Sequence, residues 1–260
     1  MRPLILLSND DGYSAPNLVA VQAELAKHAD VVVCAPETNQ SATSHSLSLH
    51  RVLRLRHAGP SVFAVDGTPA DCVYVALHSQ GRVLQRRPDL VVSGMNHGLN
   101  LGSDIFYSGT VAAAREGALR GIPSVALSAD GRADREAAAA LGARLALALL
   151  EAVRSGERGE RPGAPLLNIN VPPGDSWPMR ATRIGSRLYT EEVLFREDPR
   201  GREYLWIGGA GVRHDHVPGS DTEAYDEGCV SITPLTLDLF GSPHERLAAD
   251  LAGLAAQPAG

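Results

Sequence analysis

Two adjacent carboxylates, Asp10 and Asp11, follow a short apolar run and sit between Asn9 and Gly12. Neighbouring carboxylates repel one another unless a cation lies between them, and hard cations take oxygen ligands. Gly12 lets the chain turn sharply behind the pair. A capping turn built from common loop residues is the plainer reading of this tetrapeptide in isolation. A second segment, ETNQSATSHS from Glu37 to Ser46, is dense in hydroxyls and amides that could complete an oxygen-rich metal shell or bind a phosphate. A third, SGMNHGLNLGSD from Ser93 to Asp104, carries Gly94 and Asn96 near its start and repeats small and amide residues. That spacing predicts a backbone that approaches a ligand closely. Tyr107-Ser108-Gly109-Thr110 then opens a helix. The free N–H groups and positive dipole end of such a helix form an anion site, although Ser108 or Thr110 could serve only as an N-cap.

The elements that must position these segments follow from hydrophobic pattern. Residues 3–8 and Asp30–Pro36 are apolar runs of strand length, and Asn17–Ala29 between them has helical periodicity. This is a βαβ unit, and right-handed crossover puts both strands in one parallel sheet. Further strands are expected at Asp89–Ser93, Ile122–Ser128 and Leu166–Val171, with helices over Gly67–Leu77, Thr110–Arg120 and Arg132–Val153. Asp66 and Asp71, around Thr68-Pro69, are expected to cap the first of these helices. The three polar segments all leave strand ends, where open α/β sheets bind ligands. The fold class is therefore α/β, a Rossmann-like and mostly parallel sheet flanked by helices. Residues 155–165 are Gly- and Pro-rich and read as a surface loop. Beyond residue 173 the character changes. Seven of the twelve aromatic residues lie between Trp177 and Phe240, and stretches such as Glu203–Ile207 suggest extended hairpins, with a last helix over Pro243–Ala256. The expected organisation is a catalytic core over 1–173 and a segment over 174–260 that serves oligomerisation.

The 260 residues carry a net charge of −6, which argues against a general nucleic-acid binder. Lys27 is the single lysine, so no P-loop exists and Schiff-base chemistry is disfavoured. Cys34, Cys72 and Cys229 lack any C-x-x-C spacing and read as buried free thiols of a reducing compartment. With no leader-like start and no membrane-length apolar run, a cytoplasmic protein without membrane partners is expected. His214-Asp215-His216 lacks a third partner nearby and reads as a surface loop. His45 and His97 flank site residues, so either could donate a proton to a leaving group. A haloacid-dehalogenase-type phosphatase needs Asp-x-Asp, which is absent, and a dinucleotide oxidoreductase needs G-x-G-x-x-G, also absent. A non-catalytic nucleotide or phosphate sensor on the same fold is the alternative to an enzyme.

NDDG at Asn9–Gly12, GTPADCV at Gly67–Val73, SGMNHGLNLGSDIFYSGTVAAAREG at Ser93–Gly117 and SITPL at Ser231–Leu235 together resemble the survival protein SurE family of nucleoside monophosphate phosphatases. The resemblance implies hydrolysis of nucleoside 5′- and 3′-monophosphates, and of short polyphosphate. It implies one divalent ion per subunit, Mn²⁺ or Mg²⁺, held by Asp10, Asp11, Ser41 and Asn96, all oxygen donors. Asn9, Gly94, Asn96, Ser108, Gly109 and Thr110 are then expected around the phosphate, with Asp10, Asp11 and Asn96 carrying the chemistry. Whether water or an aspartate is the nucleophile stays open at this point. The family resemblance also implies exchange of the C-terminal segment between subunits of a homodimer or homotetramer. Cys229 departs from the aromatic expected in family members.

Overall fold

Strand β1 (Leu4–Ser8) is buried at every position, and the two faces of that strand define the two layers around it. Ile5 and Leu7 pack into one cluster with Leu18, Val21 and Leu25 of helix α1 (Pro16–Ala26). Leu4 and Leu6, one residue out of phase, pack into another with Cys34 of strand β2 (Asp30–Pro36). Side chains alternate across a strand, so a continuous apolar run means helices on both sides. The computed structural model describes residues 2–156, 163–189, 193–208 and 211–254. The expected loop over 155–165 and the end of the expected last helix fall partly outside them.

After β2 the chain forms a hairpin of β3 (Leu55–Gly59) and β4 (Val62–Val65), then α2 (Pro69–His78) and β5 (Leu90–His97). Helix α3 (Gly109–Leu119), strand β6 (Ser124–Ala129), helix α4 (Arg135–Arg154) and strand β7 (Leu166–Val171) complete the parallel part. Helices α1 and α4 cover one face, and α2 and α3 cover the other. Beyond residue 173 come β8 (Met179–Ala181), β9 (Ser186–Tyr189), β10 (Val193–Glu197), β11 (Glu203–Ile207), β12 (Val212–Asp215), the short α5 (Asp221–Asp226), β13 (Val230–Leu235) and α6 (Glu245–Leu254). The main sheet has nine strands in the order β3-β4-β2-β1-β5-β6-β7-β13-β8. Thus β13 and β8 extend the sheet of the first segment, β13 antiparallel to β7. Two ribbons, β9 with β12 and β10 with β11, stand outside it.

The α/β class and parallel strand order match the sequence expectation. Several boundaries differ for local reasons. Helix α4 begins at Arg135, three residues later than its periodicity suggests, because the Asp134 side chain accepts the Ala137 N–H and caps it there. Helix α2 has the expected proline start, and Thr68 and Asp71 cap it reciprocally. Asp66, expected to share that role, instead accepts the Arg54 N–H of the β3 approach. Strand β3 carried no apolar signal, because it is an edge strand whose Leu55, Arg56 and His57 are exposed, and β4 is an apolar run of only four residues, Val62–Val65, with Ala64 and Val65 buried. The three cysteines are free and buried, as expected.

Helix α3 lies unusually close to the sheet. A Cβ added at Gly117 would sit 2.8 Å from Val91 Cβ and 2.7 Å from Ser124 Oγ. Intrinsic propensity favours alanine over glycine in a helix by about 1 kcal/mol, whereas overpacking of this kind costs about 1–3 kcal/mol. Gly117→Ala should therefore lower stability in urea unfolding, and a stabilised variant would show that α3 is free to move off the sheet.

Candidate active site

Strand β1 lies between β2 and β5; the chain leaves β1 towards β2 on one side and, after β4 and α2, returns to β5 on the other. Such a switch point opens a crevice beyond the carboxyl ends of the strands. Asn9, Asp10 and Asp11 occupy it. The buried Asn9 amide makes reciprocal bonds with Gly12, donating to its carbonyl at 3.0 Å and accepting its N–H at 3.2 Å. Gly12 has φ of 106°, a conformation that L side chains rarely adopt. The Asn9 amide, expected at the phosphate, is thus engaged in holding the turn. The loop after β2 is strapped to it, because Gln40 donates its N–H to the Asp10 carbonyl at 2.7 Å.

Asp11 joins all three loops. Its Oδ2 accepts the His97 N–H at 3.0 Å, and its Oδ1 accepts Asn39 Nδ2 at 3.3 Å. Asn39 Oδ1 in turn accepts both the N–H and the hydroxyl of Ser41, at 2.9 and 2.7 Å. Asn39 therefore couples Asp11 to Ser41, and nothing in the polar run from Glu37 to Ser46 had singled it out. Asn96 donates its amide nitrogen to the Gly98 carbonyl at 2.9 Å, which turns its Oδ1 the other way.

Asn96 reaches this position because β5 does not end at Ser93. The strand continues to His97 with a register shift between Ser93 and Asn96 against β6. Irregularities of this kind re-aim side chains next to active sites. Gly94 makes it feasible, since a Cβ there would lie 2.1 Å from the Leu127 carbonyl oxygen. Gly94 is thus a point of close contact between strands. Further along, Asn100 is locked by Asn170, Ser128 and Asn168 through bonds of 2.8 Å each. The pair Asn168 and Asn170 on β7 had looked like ordinary strand polar residues, and only the sheet brings them under this loop.

The N-terminus of α3 closes the site. Ser108 is its N-cap, accepting the Val111 N–H at 3.0 Å. Thr110 gives its hydroxyl to Asp10. The Gly109 N–H has no hydrogen-bond partner among the described residues. A Cβ on Gly109 would be 2.9 Å from Asp10 Cβ and 3.1 Å from its Oδ2, so only glycine allows α3 to abut the carboxylate. Burial pushes the Asp10 carboxyl up to about 6; the Thr110 hydroxyl opposes the rise and the Asp11 charge adds to it.

No arginine, lysine or histidine pairs with Asp10 or Asp11 among the described residues. The donors gathered here are two carboxylates, the Ser41 hydroxyl and the Asn96 amide oxygen, which suit a hard divalent cation. Among the described residues no group of three His, Cys, Asp or Glu could hold a metal, so such a site must use neutral oxygens as well. Of the histidines flanking the site, His45 is committed to Glu116 at 3.0 Å. That bond anchors the loop after β2 onto α3. His97 is exposed beside Asp11. His214 lies on β12 rather than in a loop, bonded through Nδ1 to Asp226 at 2.8 Å.

The model of the family described as survival protein SurE matches residues 5–191. The chain is 78% identical over 252 residues to a 5′-nucleotidase SurE of Sorangium cellulosum, covering 97% of this chain and 96% of that one. It is 46% identical to a 5′-nucleotidase SurE of Methylococcus capsulatus, covering 94% of each. Among solved structures, the SurE protein from Aquifex aeolicus is similar with a TM-score of 0.79 and 36% identity, over 96% of this chain and all of that one. The sequence and its fold agree on the same assignment: the chain belongs to the survival protein SurE family.

Proposed function

We infer that this chain is a divalent-metal-dependent phosphomonoesterase that hydrolyses nucleoside 5′-monophosphates to nucleoside and phosphate. The reading extends to 3′-monophosphates and short polyphosphate. Support comes from the 5′-nucleotidase relatives. The single carrying observation is a pair of carboxylates without a cationic partner, set against the free N-terminal turn of α3.

An anionic substrate cannot approach that turn beside two bare carboxylates, so charge neutralisation has to come first. Asp10, Asp11, Ser41 and Asn96 are the residues that would hold the ion, Mn²⁺ or Mg²⁺. A bound divalent ion supplies charge neutralisation for the phosphoryl oxygens and a lowered pKa for water. The Gly109 N–H, the Ser108 hydroxyl and the dipole of α3 stabilise the transferring group. Asn96 orients the phosphate as well as the ion. Thr110 tethers Asp10, and the His97 N–H tethers Asp11, so both carboxylates are placed to hold and orient rather than to swing in as nucleophiles. Water is the nucleophile in this reading, and His97 is the histidine available near the leaving group. A non-catalytic sensor would bind AMP without releasing phosphate.

The β10–β11 ribbon exposes apolar side chains on both faces, Val193, Phe195, Leu205 and Ile207 on one and Tyr204 and Trp206 on the other. Isolated two-stranded ribbons are marginal in water, and aromatics are enriched in interface cores. The same reading makes the segment from residue 174 onwards an oligomerisation element of a homodimer or homotetramer. Among the described residues no helix is long and apolar enough to cross a membrane.

Four measurements test these points. Chelation should abolish release of phosphate from AMP, and added Mn²⁺ or Mg²⁺ should restore it; full activity in exhaustively chelated, metal-free protein would end the metal assignment. Asp10→Asn should lower kcat by orders of magnitude. The same variant should be the more stable one without metal at pH 8. A carboxyl raised to about 6 contributes stability that is present below its unfolded value and lost as pH rises through 6, about 3 kcal/mol in all. Equal stability of parent and variant in metal-free urea titrations at pH 8 would contradict that account. Light scattering during size exclusion should give a dimer or tetramer, and a strict monomer at micromolar concentration would remove the oligomer reading.

A further inference from the structure

Asn39 lies on the loop after β2 and bridges two donors that come from separate segments, Asp11 and Ser41. Its side chain makes three bonds. Oδ1 accepts the Ser41 N–H at 2.9 Å and the Ser41 hydroxyl at 2.7 Å, and Nδ2 donates to Asp11 Oδ1 at 3.3 Å. These partners fix which way the amide faces. An N–H needs an acceptor and a carboxylate only accepts, so the oxygen belongs to Ser41 and the nitrogen to Asp11.

Both bonds prepare their partners for a cation. A neutral hydroxyl serves a cation through its lone pairs, which requires its hydrogen to be directed elsewhere. Asn39 Oδ1 takes that hydrogen. The Asp11 carboxylate receives one donor on each oxygen, Asn39 Nδ2 on Oδ1 and the His97 N–H on Oδ2. Each oxygen keeps a further lone pair while the group is held from both ends. The loop also needs an anchor at this point. Ala42 and Ser44, just beyond Ser41, have φ of 58° and 53°, left-handed conformations that side-chain-bearing residues adopt where their surroundings hold them.

The bond from the Ser41 N–H alone is an Asx turn, which asparagine forms in many loops. Such a turn needs neither the hydroxyl bond nor the reach to Asp11. We propose that Asn39 is a positioning residue of the metal site, its amide joining the Ser41 hydroxyl and the Asp11 carboxylate into one preset pair of ligands. The proposal rests on the metal-dependent reading above. Asn39 is exposed, so its replacement opens no cavity in the core.

The experiment titrates Mn²⁺ into metal-free, full-length protein by calorimetry, with no substrate present. Asn39→Ala should weaken Mn²⁺ binding at least tenfold; outer partners of metal ligands typically contribute about 10–100-fold. Asn39→Ser keeps an acceptor for the turn, but one oxygen cannot serve Ser41 and Asp11 together, and its affinity should stay within about threefold of the alanine variant. In a Ser41→Ala background the loss of Asn39 should cost a smaller factor, because one of its two partners is already gone. At saturating Mn²⁺, KM of Asn39→Ala for AMP should equal that of the parent, a split that general loss of structure would not give. Parent-like Mn²⁺ affinity in Asn39→Ala, or its recovery in Asn39→Ser, overturns the positioning role and leaves the metal reading intact. So does an equal cost of Asn39→Ala with and without Ser41, or a KM for AMP that rises as far as the Mn²⁺ dissociation constant. A parent that binds neither Mn²⁺ nor Mg²⁺ overturns the metal reading and this inference together. A parent that binds Mn²⁺ without releasing phosphate from AMP, with Asn39→Ala still tenfold weaker, overturns the phosphatase reading and supports the positioning role.

Discussion

Asp10 is pressed against the first turn of α3, and the rest of the site depends on that contact. The carboxylate is nearly excluded from solvent, has Asp11 beside it and, among the described residues, meets only the Thr110 hydroxyl as a hydrogen-bonding side-chain partner. Burying a charge without a counter-charge is expensive, and proteins tolerate it mainly where function needs the strain. The sheet pays that cost in several places at once. The abutment requires a bare Cα at Gly109, and the seating of α3 on the sheet requires another at Gly117. Both belong to the same helix, so its tight packing and its position against Asp10 are one arrangement.

Around this contact the structure distributes the work of holding geometry among neutral amides. Asn9 closes the first turn, Asn39 ties Asp11 to Ser41, Asn96 is braced on Gly98, and Asn100 is fixed by Asn168 and Asn170. An amide offers both donors and an acceptor, so it can brace two backbones without adding charge near carboxylates that already repel. Arginines supply most of the positive charge of the chain, and among the described residues none pairs with Asp10 or Asp11. Arg187 and Arg132 hold Asp104 and Asp130 instead. Among the described residues that arrangement leaves the negative pair without a cationic side chain.

The segment beyond residue 173 enters the site from the other side. Asp221 at the start of α5 accepts the Gly102 N–H at 3.0 Å and the Gly185 N–H at 2.7 Å, which couples the loop after β5 to the approach of β9. Arg187 and Tyr189 both reach Asp104, at 2.7 Å each. Strand β9 is therefore held by the segment that follows β5 and its Asn96. Packing of β13 and β8 onto the sheet and the exposed apolar β10–β11 ribbon divide this segment into a part that completes the core and a part that projects from it.

What the sequence by itself determined is the layered α/β plan and the identity of the reactive loops. Continuous apolar runs at Leu4–Ser8 and Asp30–Pro36 can only be strands covered on both faces, and polar residues at their carboxyl ends mark a ligand edge. The Asp10–Asp11 pair, the polar loops after β2 and β5, and Ser108–Thr110 stood out because carboxylates, hydroxyls and glycines cluster there, whereas Ser41 and Asn96 were singled out by the family resemblance. Tertiary structure alone decided the rest. The edge strand β3 has no buried residue to leave a pattern, and Asn39, Asn168 and Asn170 acquire roles only through partners far away or on neighbouring loops. Gly94 and Gly109 drew notice as loop and helix-start glycines, but what excludes a side chain there is the Leu127 carbonyl in one case and the Asp10 carboxylate in the other. Local pattern reports what a residue prefers along its own strand or helix; which distant atoms it must accommodate is settled only when the sheet brings them within a few ångströms.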